Sequence, residues 1–265
     1  MPRNGCNNAI QADDYLRGMA VYVHDKIVPD KKSNAAKKTQ VAEMFDSIAN
    51  RYDFLNRFLS AGIDKIWRKK AIKELKPVHP KIILDVATGT GDFAIAGSKN
   101  LNPEKVIGID ISKGMLDIGR KKIQKLNLAN KIELLAGDSE TINFANSSFD
   151  AITVAFGVRN FEDLEKGLME MQRVLKPGGK ISILECTMPR NILIKGFYNF
   201  YMFSIVPAFG KMFARNKKAY MYLNNSVQAF PDREFFLEIM NRAGFTNTYY
   251  KSLSLGICCI YCGSK

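Results

Sequence analysis

Apolar positions recur along this chain in two rhythms. From residue 39 to 59, Val41, Met44, Phe45, Ile48, Tyr52, Leu55 and Leu59 fall three or four apart, the spacing of one helical face. A second helix, Ile63–Leu75, carries the sole tryptophan, Trp67, and Pro77 and Pro80 stop it. Beyond residue 80, short continuous apolar runs alternate with helical spacing. Strands are predicted near Lys81–Val86, Lys105–Asp110, Lys131–Ala136, Asp150–Phe156 and Lys180–Glu185. The helices between them fall near Asp92–Lys99, Lys113–Leu126 and Leu164–Val174. Uninterrupted apolar strands separated by helices predict a parallel sheet covered on both faces. After Asp232 a helix to Ala243 leads into Thr246–Leu253 and Ile257–Tyr261. The link Leu253-Ser254-Leu255-Gly256 is too short for a helical crossover, so this last pair is predicted antiparallel.

The flanks read differently. Residues 1–38 have poor apolar periodicity, and Pro29-Asp30-Lys31-Lys32-Ser33-Asn34 has the composition of a linker, which predicts a flexible N-terminal tail. A single domain is predicted from 39 to 265, with N-terminal helices over 39–76 and an insertion over about 186–231. Its length and apolar content of 46% suffice for one large α/β core.

The chemistry begins at Leu84-Asp85-Val86-Ala87-Thr88-Gly89-Thr90-Gly91-Asp92-Phe93-Ala94. A glycine turn at the end of a first strand, with Asp110 closing the second, is how a doubly wound, Rossmann-like sheet holds a nucleoside cofactor. Gly89, Gly91 and Ala94 also satisfy the loose dinucleotide fingerprint, so spacing alone leaves NAD and S-adenosylmethionine open. Acids at Asp85 and Asp92 would crowd a pyrophosphate but favour a sulfonium and an ammonium group. Five parallel strands followed by a helix and a hairpin match a seven-stranded methyltransferase sheet, not the six parallel strands of a dinucleotide domain. S-adenosylmethionine is therefore the predicted cofactor, leaving as S-adenosylhomocysteine.

In such a sheet the ligand lies outside the carboxyl ends of the strands. Asp85, Gly89, Thr90, Gly91, Asp110, Asp138 and Ser139 gather there as the predicted cofactor residues. Asp110 is placed to accept both ribose hydroxyls, Asp138-Ser139 to reach the adenine amino group, and Thr90 the amino-acid moiety. No metal is expected: Cys258, Cys259 and Cys262 read as small residues on a terminal strand, without a nearby histidine. The five cysteines fit a reducing, cytoplasmic setting.

Several blocks resemble the ubiquinone/menaquinone biosynthesis C-methyltransferase family, its demethylmenaquinone methyltransferase-like members in particular. They are Val41–Ser60, Asp85–Asp92, Phe156-Gly157-Val158-Arg159-Asn160, Arg173–Lys180, Ile183-Leu184-Glu185, and Ala219–Leu223 with Ser226 and Phe230-Pro231. The resemblance implies methyl transfer from S-adenosylmethionine to a ring carbon of a polyprenylated quinol, with cofactor contacts at Thr90, Asp110 and the Asp138-Ser139 pair. Three departures stand out: the tail before residue 39 lies outside the pattern, Ala155 stands where a serine is frequent, and Tyr261 where a histidine is. Arg159 and Asn160, with Tyr52 closing the pocket, are the residues expected to hold an anionic ring oxygen or an activating water. Neither histidine fits a base, His24 lying in the tail and His79 before the first strand. Demethylmenaquinol is the favoured acceptor. A benzoquinol precursor of ubiquinone, another hydrophobic small molecule, and a silent cofactor-binding scaffold remain as alternatives.

Charge adds a partner. The chain carries 39 basic and 26 acidic side chains, net +13, and residues 186–231 hold six basic residues and no acid. Nine aromatics lie within residues 197–222, and Gly196–Gly210 is uncharged yet too short to span a bilayer. An apolar aromatic stretch with a basic flank predicts a lid over a prenyl-chain groove, resting on an anionic inner membrane face as a peripheral protein. Nucleic acid is not expected, since Phe156–Asn160 stands where amino-methylating enzymes keep an Asn/Asp-Pro-Pro-Tyr block. A homodimer remains open.

Overall fold

The computed structural model describes residues 22–201, 204 and 217–265. Seven strands form one sheet in the order β3-β2-β1-β4-β5-β7-β6. They are β1 (Ile82–Val86), β2 (Lys105–Asp110), β3 (Ile132–Ala136), β4 (Phe149–Ala155), β5 (Leu175–Cys186), β6 (Thr246–Leu253) and β7 (Cys258–Ser264). The first five are parallel, and β7 runs antiparallel between β5 and β6. The two-faced burial expected of continuous apolar strands is present. In β1, Leu84 and Val86 enter the core cluster on one face and Ile83 the cluster on the other, while β4 splits likewise between Ile152 and Ala151.

Helices α1 (Lys37–Leu59), α2 (Asp64–Lys73), α3 (Asp92–Leu101), α4 (Lys113–Lys125), α5 (Leu164–Val174), α6 (Ile192–Phe200), α7 (Lys217–Ala229) and α8 (Glu234–Arg242) surround the sheet. Local chemistry sets several starts. Ser112 caps α4 by accepting from Met115 N–H, Asp163 caps α5, and Asn191 caps α6. β5 begins earlier than predicted, because Leu175 already pairs with Phe149 before Lys176–Gly179 loop out and pairing resumes at Lys180 with Ala151.

The described part of the segment read as a tail is packed against the domain. Tyr22 joins the main core cluster, and His24 is fully buried beside the Phe230 ring. Lys37, also buried, donates to the His24 carbonyl. Polar composition misled here because the buried contacts are few and far apart in sequence. Residues 1–21, and 202–203 and 205–216 of the predicted lid, lie outside the described residues.

Candidate active site

Strand order reverses between β1 and β4, and the crevice opens at their carboxyl ends. Gly157 is required there: a Cβ on it would sit 2.6 Å from the Ala87 Cβ. Around this point lies one crevice, open to solvent, that encloses about 670 Å³ of space. Lys38, Gly89, Asp110, Asp138, Ser139, Glu140 and Glu162 form its polar lining, and Phe45, Tyr52, Ala155, Phe156, Gly157, Asn160 and Phe161 its largely aromatic and apolar lining. An acid-rich lining and an aromatic lining thus share one space.

The glycine turn is built as the sequence suggested, with Gly89 at φ +56° and Gly91 at +79°. The Gly89 N–H donates to Asp110 Oδ2 at 2.7 Å, and Ser112 N–H to Oδ1 at 2.8 Å. In a dinucleotide site that turn N–H faces a pyrophosphate; here it is spent on a carboxylate. A further anion is unwelcome, whereas ribose hydroxyls and a cationic cofactor fit. Burial raises the Asp110 carboxyl above its usual range, opposed by these two N–H donors.

The acids expected to favour that cation act elsewhere. Asp85 is fully buried beneath the turn, accepting from Thr88 Oγ1 at 2.6 Å and Thr153 Oγ1 at 2.7 Å, and burial pushes its carboxyl up to about 6. Asp92 is bound by Lys122 Nζ at 2.6 Å. Thr90 is buried too and donates to Asp53 Oδ1 at 2.6 Å, while Gly91 packs on Leu134 and Ile123. Asp85, Thr90 and Gly91 therefore support the turn without lining the cavity. Gly89, Asp110, Asp138 and Ser139 face it.

Sequence reasoning missed how α1 roofs the polar end. Lys38, Asp46 and Asp53 lie eight and seven residues apart, hence on one helical face. Asp53 holds Thr90 and Lys122 after β1 and on α4. Asp46 Oδ1 accepts from Ser112 Oγ and Gly114 N–H after β2. Lys38 Nζ reaches Asp138 at 2.9 Å, Glu140 at 3.4 Å and Glu162 at 3.7 Å. The helical spacing of these three polar residues was the available signal.

At the aromatic end Phe156 holds a left-handed backbone, φ +59°, a strained state for a bulky residue. Its carbonyl accepts from Arg159 Nη1 at 2.9 Å and Asn160 Nδ2 at 3.2 Å. Asn160 lines the cavity, and Tyr222 on α7 donates its hydroxyl to Asn160 Oδ1 at 3.1 Å. Tyr52 also lines it, its ring edge-on to Phe45 at 5.7 Å. Arg159 does not: it is buried behind Phe156 and paired with the fully buried Glu185 of β5. Burial opposes its charge, but Glu185 holds its ionisation above the ordinary arginine range. The expectation that its side chain touches an acceptor oxygen becomes a role one layer further back. Tyr261 lies buried on β7, its hydroxyl accepting from Arg233 N–H. Cys258, Cys259 and Cys262 are buried on the same strand.

The model of the ubiE/COQ5 methyltransferase family matches residues 33–265. The chain belongs to that family. As a ubiE/COQ5-family protein it is 48% identical over 245 residues to a demethylmenaquinone methyltransferase of Bacteroides fragilis, covering 92% of this chain and 99% of that one. A ubiquinone/menaquinone biosynthesis C-methyltransferase of Geotalea daltonii is 45% identical, covering 86% of this chain and 97% of its own length. Among solved structures, an S-adenosylmethionine-dependent methyltransferase of Thermotoga maritima, described as a possible histamine N-methyltransferase, superposes with a TM-score of 0.59. It is 20% identical, and the match covers 84% of this chain and 99% of that one; the likeness is one of fold. This family member is an S-adenosylmethionine-dependent methyltransferase.

Proposed function

We propose that this protein methylates a ring carbon of a polyprenylated quinol, demethylmenaquinol being the favoured acceptor. The observation that carries the reading is the single cavity with an acid-lined cofactor end and an aromatic acceptor end. The names of the Bacteroides fragilis relative and of a Porphyromonas gingivalis relative, 42% identical and also called a demethylmenaquinone methyltransferase, support the naphthoquinol. The Geotalea daltonii relative's name keeps a benzoquinol as the second reading.

When bound, S-adenosylmethionine supplies a methyl group already activated on a sulfonium. Asp110 would hold the ribose hydroxyls, and Asp138 with Ser139 the adenine edge. Tyr52 and Asn160 orient the acceptor oxygen, with Asn160 itself held by Tyr222 and the Phe156 carbonyl. Once the quinol hydroxyl has lost its proton to solvent, the ring carbon uses its electron pair to form the new C–C bond. The methyl would leave the cofactor with the S–C bond electrons left on sulfur, and the ring proton passes to solvent as aromaticity is restored. The protein's contribution is alignment and charge, since the donor needs no further activation.

A prenyl chain calls for a membrane. Among the described residues no helix is long and apolar enough to cross one. Ile192, Leu193, Phe197 and Phe200 on α6 are 85, 75, 78 and 62% exposed, within an arc of about 140°. Lys195 lies on the same helix. This supports peripheral docking on an anionic, cytoplasmic membrane face.

The test is methyl transfer from labelled S-adenosylmethionine to demethylnaphthoquinol and to methoxybenzoquinol, each with a short prenyl tail. Turnover on the naphthoquinol is expected. Turnover on neither overturns the reading.

A further inference from the structure

Arg68, on α2, belongs to none of the groups assigned so far. It is 7% exposed and paired with Asp64, which Ser60 Oγ steadies at 2.9 Å. Its guanidinium carbon stands 5.4 Å from the centre of the Phe156 ring, within cation–π range. Arg159 grips the Phe156 carbonyl, so two buried guanidiniums bracket this one strained residue, one at its backbone and one at its ring. The Nε of each is buried with no partner among the described residues. A buried donor left unpaired is costly, and a polar group kept under those terms calls for a role.

Other groups register where Arg68 sits. Its charge acts on Tyr52 of α1, Asp85 of β1, Asp92 of α3, Cys186 at the end of β5 and Cys258 of β7. Tyr52 reports on the cavity, because its ring lines it. Burial raises its hydroxyl; Arg159 and Arg68 both pull that ionisation down, and Asp110 pushes it up. At the acceptor end the facing groups are thus Tyr52 and Tyr222, with Asp110 acting from the cofactor end and the pairs Arg159–Glu185 and Arg68–Asp64 behind them.

We propose that Arg68 is a positioning residue for methyl transfer: stacked on Phe156, it fixes the ring that walls the acceptor end and, with Arg159, supplies positive potential favouring a deprotonated acceptor oxygen. The inference rests on the phenolate reading of the reaction above and goes beyond it in naming a second source of charge. A cation about 10 Å away, acting through an effective dielectric near 20, moves an ionisation by about one pH unit.

The test binds 4-nitro-1-naphthol, whose anion absorbs in the visible, to the full chain with S-adenosylhomocysteine present, and titrates it in place. Wild type and Arg68→Lys are expected to hold the probe's ionisation below its value in water. Arg68→Gln is expected to move it up by about one pH unit relative to wild type. Asp64→Asn/Arg68→Gln removes both charges of the pair, so no buried acid is left unpaired, and it is expected to move the titration the same way but by less, because the Asp64 charge it also removes opposes that of Arg68. Quinol turnover at pH 7 should fall about tenfold in Arg68→Gln, and less in Asp64→Asn/Arg68→Gln and in the Lys variant. Gln variants that melt with wild type and titrate the probe as wild type does overturn the proposal. So does a Lys variant that follows the Gln variants, or a wild type that shows no preference for the naphtholate. Failure of wild type to methylate either quinol would instead strike the functional reading, while the probe titration still decides the place of Arg68's charge.

Discussion

Lys38 sits where carboxylates from two loops converge on the cofactor end of the cavity. It is the cation that lets Asp138, Glu140 and Glu162 stand together at the mouth. With its side chain about one-third exposed, solvent screens the contact, and its removal should cost on the order of 1 kcal/mol. Lys38→Ala is therefore expected to weaken S-adenosylmethionine binding about fivefold by calorimetry, with kcat at saturating cofactor little changed. Asp85 gives a pH signature. Its folded carboxyl titrates near 6 against an ordinary 3.8. Below both values it is protonated folded or unfolded, and its charge contributes nothing. As pH rises through that window the unfolded chain loses its proton first, so wild-type stability falls relative to Asp85→Asn and levels above about 6. The wild-type melting temperature minus that of Asp85→Asn should fall from pH 4 to about 6 and level beyond; a constant difference would refute it. Sequence placed Asp85, Thr90 and Arg159 at the right strand ends but not on the right side of the wall. Whether a side chain faces a cavity depends on its partner: Thr153 for Asp85, Asp53 for Thr90 and Glu185 for Arg159 lie 68, 37 and 26 residues away. No local pattern carries that information.

Among the elements, the strands were legible and the roof was not. β2 and β6 have the predicted bounds, and the hairpin follows from a link too short for a crossover. α1 was legible as a helix from its apolar stripe, which also carries Phe45 and Tyr52 to the cavity, whereas its ties to the loops come from a second, polar face, Lys38, Asp46 and Asp53. Asp110 and the Asp138-Ser139 pair could be read because a strand end fixes where a residue stands. α6 is the element whose burial is unusual: its apolar face is exposed, while Tyr201 just beyond it donates its hydroxyl to the carbonyls of Phe58 and Leu59 at the end of α1. Replacing Phe197 and Phe200 by serine removes two large apolar side chains from that face. Phe197→Ser/Phe200→Ser is expected to lower cosedimentation with anionic vesicles more than tenfold and leave the melting temperature within a few degrees. Equal sedimentation of variant and wild type would deny α6 that contact.

For the molecule as a whole, a charge of +13 on 265 residues is a statement about where it concentrates. Attraction of that kind is screened over about 10 Å at 0.1 M salt and about 3 Å at 1 M. Cosedimentation with vesicles containing anionic lipid should therefore fall severalfold between roughly 0.05 and 0.5 M salt, and neutral vesicles should retain little protein at any salt. A salt-independent result would leave α6 as the sole attachment. Net charge was legible at once, whereas its distribution over a folded surface needed the sheet to place it.

The three-point roof of α1 also bears on the order in which the protein is made. Its partners at Thr90, Ser112, Asp138 and Glu162 all lie within the first 162 residues, so a ribosome has delivered the whole polar half of the cavity while a hundred residues remain unsynthesised. Glu185, which anchors Arg159, and Tyr222, which orients Asn160, arrive later. During synthesis the nascent chain can gather its cofactor-facing loops before the end that meets the acceptor has been translated.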